Sequence, residues 1–247
     1  MSQKDSFSAM LPLFLVLLID GMGLGLLFPI MNTLLVDPHS GFFSAGLSEG
    51  WRDFYYGLTI GIFMICWFFG AAILGELSDH VGRKKCLMVC LLGSFLGYFL
   101  SALAIVIGNF AVLILGRVIA GFTAGSQPIA QAAIVDISSE EHKARNIGLI
   151  LLAVSLGFVL GPLCSGILSD PSLVSWFSFT TPMYFASVLS LFNAFLLYYI
   201  FHETFEHVDK KAKLNIKLFH AVDLFISAFK HQAIKKYSLV LLVMIFG

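Results

Sequence analysis

Hydrophobic and polar positions alternate along this chain in long blocks. Six apolar runs, at about 10–35, 54–74, 87–107, 110–135, 147–168 and 179–201, are separated by short polar breaks. At about 1.5 Å per residue, each run is long enough to cross a ~30 Å hydrocarbon core as a helix. Backbone groups inside lipid find no water, so a spanning segment must satisfy them within itself, which predicts helices and not strands. Gly108–Asn109 predicts a very tight turn between the third and fourth runs, while 37–53 and 169–178 are longer loops containing Gly, Ser and Pro. The first run continues from Met10 to Leu35, is interrupted by Asp20, and shows no small-residue cleavage pattern. It reads as a retained first span, not a signal peptide.

Beyond the sixth run the pattern changes. Over 206–236, Leu218, Val222, Phe225 and Phe229 fall on one helical stripe, while Lys217, His220 and Lys230 lie off it. This predicts an amphipathic helix lying along the cytoplasmic membrane face or packing under a bundle. From Tyr237 to Gly247 the chain is apolar again, which reads as a seventh helix cut short. The expected fold class is an all-α membrane protein. Residues 1–205 form a six-helix transmembrane bundle, 206–236 a linker with an amphipathic helix, and 237–247 the start of a seventh span.

Composition sharpens this picture. The chain is 58% hydrophobic and 12% charged, where a soluble domain is about a quarter charged, so its solvent is mostly lipid. The formal net charge of zero hides an asymmetry. The segment 75–86 carries Arg83, Lys84 and Lys85; 136–146 carries Lys143 and Arg145; and the stretch after the sixth run carries Lys210, Lys211, Lys213 and Lys217. The alternate loops carry Arg52 alone. By the positive-inside rule, both ends of the six-helix unit are cytoplasmic. The cysteines, Cys66, Cys86, Cys90 and Cys164, lie in apolar runs without paired spacing, and no nearby ligands complete a metal site. No metal, cofactor or nucleic acid is expected, nor is an enzyme.

Two motifs are set aside on physical grounds. GLSEG at 46–50 matches the G-x-S-x-G string of serine hydrolases, but that motif needs a strand before it and a helix after it. GMGLG at 21–25 lies inside a span with no preceding strand, so its glycines read as sites of close helix approach or local bending.

Asp20 is different. A carboxylate near the middle of a span costs at least ~2.5 kcal/mol. It reads either as a hydrogen-bonded structural group or as a proton-titrating, substrate-facing group in a polar cavity. Arg117 is the matching cation in the fourth run, on a face with Gly121, Ala124, Pro128 and Gln131 that suits a cavity wall. The heights of Asp20 and Arg117 differ by roughly 10 Å at the helical rise, which favours a shared water-filled cavity over a salt bridge. The alternative is a structural Arg117 bonded to backbone carbonyls. Gly21, Gly23, Gly25 and Pro29 in the first run correspond to Gly121, Gly125 and Pro128 in the fourth. Such interruptions at matching places in two three-helix inverted repeats point to a transporter's substrate site.

The stretch GELSDHVGRKK at 75–85 gathers five charged residues and a histidine. It resembles the signature loop of the major facilitator superfamily through Gly75, Leu77, Asp79, Gly82, Arg83 and Lys84, with His80 where a basic residue is commoner. IDGMGLGLLFP resembles the first span of the tetracycline/proton antiporter branch through Asp20 and Pro29. LILGRVIAG resembles the fourth-helix motif through Arg117 and Gly121, with Ala120 as a departure. GFVLGPLCSG resembles the fifth-helix antiporter motif through Gly157, Gly161, Pro162 and Gly166, with Ser165 in place of a glycine. FHET, with Glu203 and Thr204, resembles the end of the sixth helix.

The resemblance implies a proton-coupled exporter of small molecules, alternating access between two bundles in a bacterial inner membrane. Its partners would be the substrate, protons, membrane lipid and a C-terminal six-helix bundle. Asp20, Arg117, Gln127 and Gln131 become candidates for proton coupling and the substrate cavity. Gly75, Asp79, Gly82, Arg83, Lys84 and Asp136 become a cytoplasmic latch, with Asp79 capping a neighbouring helix N-terminus and Arg83 pairing with Asp136. A plain topology anchor would account for the lysines and Arg83 but not for Asp79. Gly157 and Gly161 present a small-xxx-small packing face, Pro162 bends the helix, and Gly166 completes the motif. A symporter importing a metabolite or siderophore-like compound, and a non-transporting membrane protein, are the alternative readings.

The charge asymmetry makes a direct prediction. Cysteines placed at Lys84 and Lys143 are labelled by a membrane-impermeant maleimide only after cells are opened, whereas those at Trp51 and Ser172 are labelled in intact cells. Outside labelling at position 84 would reverse the orientation.

Overall fold

A computed structural model describes residues 7–44 and 46–203 of the chain. They lie within a compact unit running from Met1 to Ala212; a second unit is Lys213–Gly247. The expected amphipathic helix and seventh span fall outside the described residues. Among those described there are seven α-helices and no strand. They are α1 (Phe7–Met31), α2 (Glu49–Val81), α3 (Arg83–Ile107), α4 (Phe110–Thr123), α5 (Ser126–Ile137), α6 (Lys143–Ser169) and α7 (Thr181–Ile200). With α4 and α5 counted as one continuous span, six segments are long and apolar enough to cross a membrane.

The helices run further than the apolar pattern indicates. The stretch 75–86, expected as a charged loop, is helical except at Gly82, which alone separates α2 from α3 at φ 104° and ψ 144°. Helical hydrogen bonds are satisfied locally, so polar residues extend a helix past the apolar region without interruption. A residue with a side chain is strained at such a φ, which is why glycine makes the break. At the opposite end the turn between α3 and α4 is as tight as its sequence implies. Gly108 closes α3 in the left-handed region at φ 63°. The Asn109 side chain then accepts from the amides of Ala111 and Val112, at 3.0 and 3.2 Å, to cap α4.

α1 is the innermost span: 72% of its most apolar stretch is buried, against 22% for α2 and for α6. It crosses α6 at backbone contact. A Cβ added to Gly21 would lie 2.8 Å from Val154 O; one at Gly157 would lie 2.5 Å from Leu18 O, and one at Gly161 2.7 Å from Gly25 Cα. Lipid supplies no hydrophobic drive between helices, so close packing of small residues has to hold them. The expected packing face on α6 is thus met by the glycines of α1. Gly166 takes no part: nothing lies within 4 Å of its added Cβ. The motif's packing role ends near Pro162, whose ring abuts Gly25.

Polar ties supplement this packing. Asn193 of α7 donates to Pro12 O of α1 at 3.1 Å, and Ser187 donates to Phe95 O of α3 at 3.2 Å. α2 and the fourth span touch where Gly70 meets Phe122 and Gly125, with a Cβ at either glycine overlapping the facing backbone. There the helix tightens: Gly125 N–H donates to Phe122 O at 3.2 Å and Gln127 N–H to Ala124 O at 3.3 Å, both three residues back.

The two glycines of α6 separate by substitution. Gly161→Leu forces α1 and α6 apart and costs about 1–3 kcal/mol or more, lowering the melting midpoint of the purified protein. Gly166→Ala stays within ~0.5 kcal/mol of the parent. Equal effects of the two changes contradict the crossing.

Candidate functional site

Two polar centres occupy the bundle interior, and a third cluster sits at the end carrying Gly82. In the first, Asp20 of α1 is half-buried and accepts a hydrogen bond from Ser126 Oγ, at 2.6 Å. It lines a small cavity with Gly21, Leu24, Phe63, Trp67, Ala124, Gln127 and Phe158. The cavity measures about 10 Å³, roughly one water's worth and far below the ~300 Å³ of a drug-sized site. Its lining combines an acid, an amide and aromatic surfaces.

The second centre is Arg117, which is fully buried. Its Nε and Nη2 donate to Ser101 Oγ at 3.2 and 2.6 Å. Ser101 gives its own proton to Gly97 O at 2.7 Å, leaving its lone pairs for the guanidinium. Phe63 and Tyr98 present their rings to Arg117 with centroids 6.0 and 5.6 Å away. Arg117 and Gln131 do not line the small cavity at Asp20, while Gln127 does. Gly121 packs on the Phe63 backbone and Pro128 is exposed. Among the described residues no ion pair joins Asp20 to Arg117.

At the Gly82 end, Arg83 Nε lies 2.7 Å from Asp136 Oδ2 on α5. Asp79, with its side chain 57% exposed, is 3.8 Å from Arg83 Nη2. The start of α3 has a carboxylate cap of its own. Glu203, just past α7, accepts from the Arg83 and Lys84 amides at the start of α3, at 2.9 and 3.1 Å. A carboxylate suits the positive end of a helix, and Gly82 makes room for it, since a Cβ there would lie 2.5 Å from Glu203 Oε2. Lys84 Nζ donates to Tyr198 O at 2.8 Å and lies over the Tyr198 ring, tying α3 to α7. No atom lies within 4 Å of a Cβ added at Gly75.

The family model of the Major Facilitator Superfamily matches residues 13–247. The chain belongs to the Major Facilitator Superfamily. Members of this superfamily are transporters and not enzymes. The chain is 30% identical over 208 residues to the class C tetracycline resistance protein of Escherichia coli, covering 84% of itself and 48% of that protein. It is 29% identical over 202 residues to the quinolone resistance protein NorA of Staphylococcus aureus, covering 81% and 46%. Thus the chain spans about half the length of the curated relatives it matches. Among solved structures, the human organic anion transporter MFSD10 superposes with a TM-score of 0.62 at 25% identity, over 82% of this chain and 49% of that one. The inward-open xylose transporter XylE of E. coli gives 0.67 at 18% identity, over 92% and 57%, and speaks for the fold alone.

Within this superfamily fold, sequence reading assigned no role to Ser126, Ser101, Tyr98 or Glu203. Their signals were faint. A serine or tyrosine inside a span is ordinary, and its partner depends on which helix faces it. Glu203 stood in the quoted FHET stretch, but its target lies 120 residues earlier.

Replacing the cap tests this end of the site. Glu203→Ala leaves the first amides of α3 without their acceptor and costs about 1 kcal/mol, read as a lower melting midpoint. Glu203→Gln, which keeps an acceptor but loses the charge, lies between. An unchanged midpoint in Glu203→Ala contradicts the cap.

Proposed function

We propose that this chain forms half of a proton-coupled exporter of small molecules that works by alternating access. The observation that carries this reading is Asp20, an acid in the middle of the first span, hydrogen-bonded across to the fourth span and lining a cavity. An ionisable residue within a membrane span is costly and marks an ion or substrate path by default. The names of the relatives, tetracycline and quinolone resistance proteins, support export of flat, amphipathic compounds. The aromatic wall of Phe63, Trp67 and Phe158 suits such molecules.

In this reading a second six-helix bundle supplies the opposite wall. The Gly82 end faces the cytoplasm of a bacterial cell, in accord with its cluster of basic residues. Arg83, Asp79 and Asp136 act as a latch there. Ion pairs present in one of two states bias the equilibrium between the states without forming a binding site. The exposed apolar face of α6, including Leu151, Leu152, Val159 and Leu163, meets lipid or the second bundle.

The test uses inside-out vesicles from cells expressing the natural product of the gene that encodes this chain. Wild type accumulates tetracycline when a pH gradient is imposed. Asp20→Asn folds and binds tetracycline but loses uphill accumulation. Undiminished accumulation by Asp20→Asn contradicts the reading.

A further inference from the structure

Ser126, like Ser165 and Ser187, sends its hydroxyl to another helix, and its acceptor is a carboxylate. Inside a helix in lipid, a Ser or Thr hydroxyl ordinarily donates back to a carbonyl of its own helix. Thr59, Ser101, Ser138 and Ser190 all do so, to the carbonyls of Tyr55, Gly97, Ile134 and Ala186, each four residues earlier. Ser126, 1% exposed, donates instead to Asp20 on another helix. Ser126 follows directly on the tightened turn, in which Phe122 O takes the Gly125 amide. That same carbonyl faces Gly70 of α2 at contact distance.

We propose that Ser126 is a positioning residue for Asp20, donating to its carboxylate and favouring the ionised form. This rests on the reading of Asp20 as the proton site. A hydroxyl donating to a carboxylate favours the charged form over the neutral one, so Ser126 makes proton release easier.

Other groups around Asp20 do not supply this donor. α3 contributes Cys90 and Tyr98 as its titratable groups within electrostatic reach. Arg117 of α4 is turned to Ser101. The lining contributed by α2, α4 and α6, namely Phe63, Trp67, Ala124 and Phe158, is uncharged, as are Gln127 of α5 and Asn193 of α7.

The experiment is an infrared pH titration of the purified natural gene product in lipid, following carboxyl protonation. The band absent from Asp20→Asn is assigned to Asp20. In Ser126→Ala its midpoint moves to higher pH by about one unit, roughly a tenfold tighter hold on the proton. Ser126→Thr, which keeps the hydroxyl, restores the wild-type midpoint, and because it keeps the polar group it also serves if the alanine variant is unstable. An Asp20 band at the wild-type midpoint in Ser126→Ala, or a Ser126→Thr shift as large as that of alanine, overturns the role of Ser126 while leaving Asp20 as the proton site. A titration in which Asp20→Asn removes no band overturns the proton-site reading itself, and this inference with it.

Discussion

Helices in lipid are held together by what their surfaces can touch, because lipid tails are as apolar as leucine. In this bundle that constraint is met by glycines facing backbone. Gly21 and Gly25 lie against Gly157 and Gly161, and Gly70 lies against Gly125. The first crossing fixes α1 at the centre of the bundle and, with it, Asp20, the residue next to Gly21. The second brings α2 against the fourth span at the tightened turn that precedes Ser126, the donor to Asp20. The same economy operates around Arg117, where a Cβ on Gly116 would lie 2.5 Å from Ser101 Oγ.

The interior and the Gly82 end differ in how hard they are to change. Backbone-to-backbone crossings have one well-packed arrangement, and widening them loses contacts over whole helix turns. Near Gly82 the Asp79 and Asp136 side chains are 57% and 35% exposed, while Arg83, which faces both, is 10% exposed. An exposed contact such as Arg83–Asp79, at 3.8 Å, contributes typically 0–1 kcal/mol. Contacts of that size are suited to forming and breaking between two states, whereas the glycine crossings are suited to moving as a rigid unit. The proposed division into a rigid interior and a switchable end follows from these magnitudes.

Span number, helical class and the glycine face of α6 were legible from hydropathy and spacing alone, because each depends on a local property of the chain. The proximity of Arg83 and Asp136 was also expected, from a family resemblance. What sequence missed depends on distant partners. Arg117 turns to Ser101 on another helix and does not line the small cavity at Asp20, a pairing that no local pattern shows. Glu203 caps the start of α3, and nothing local shows which carboxylate returns there. Gly166 matched a motif by residue type but packs against nothing within 4 Å.

The central claim is that a proton gradient drives substrate outward through the cavity at Asp20. Proteoliposomes holding the natural gene product, with its orientation fixed by sorting, test it most directly. With substrate presented on the face that carries Gly82, the account predicts tetracycline movement against its own gradient. One proton or more should move the other way for each molecule, and nigericin should collapse the transport. Tetracycline movement that persists unchanged after nigericin, or that runs toward the Gly82 face under the same pH gradient, would contradict the account.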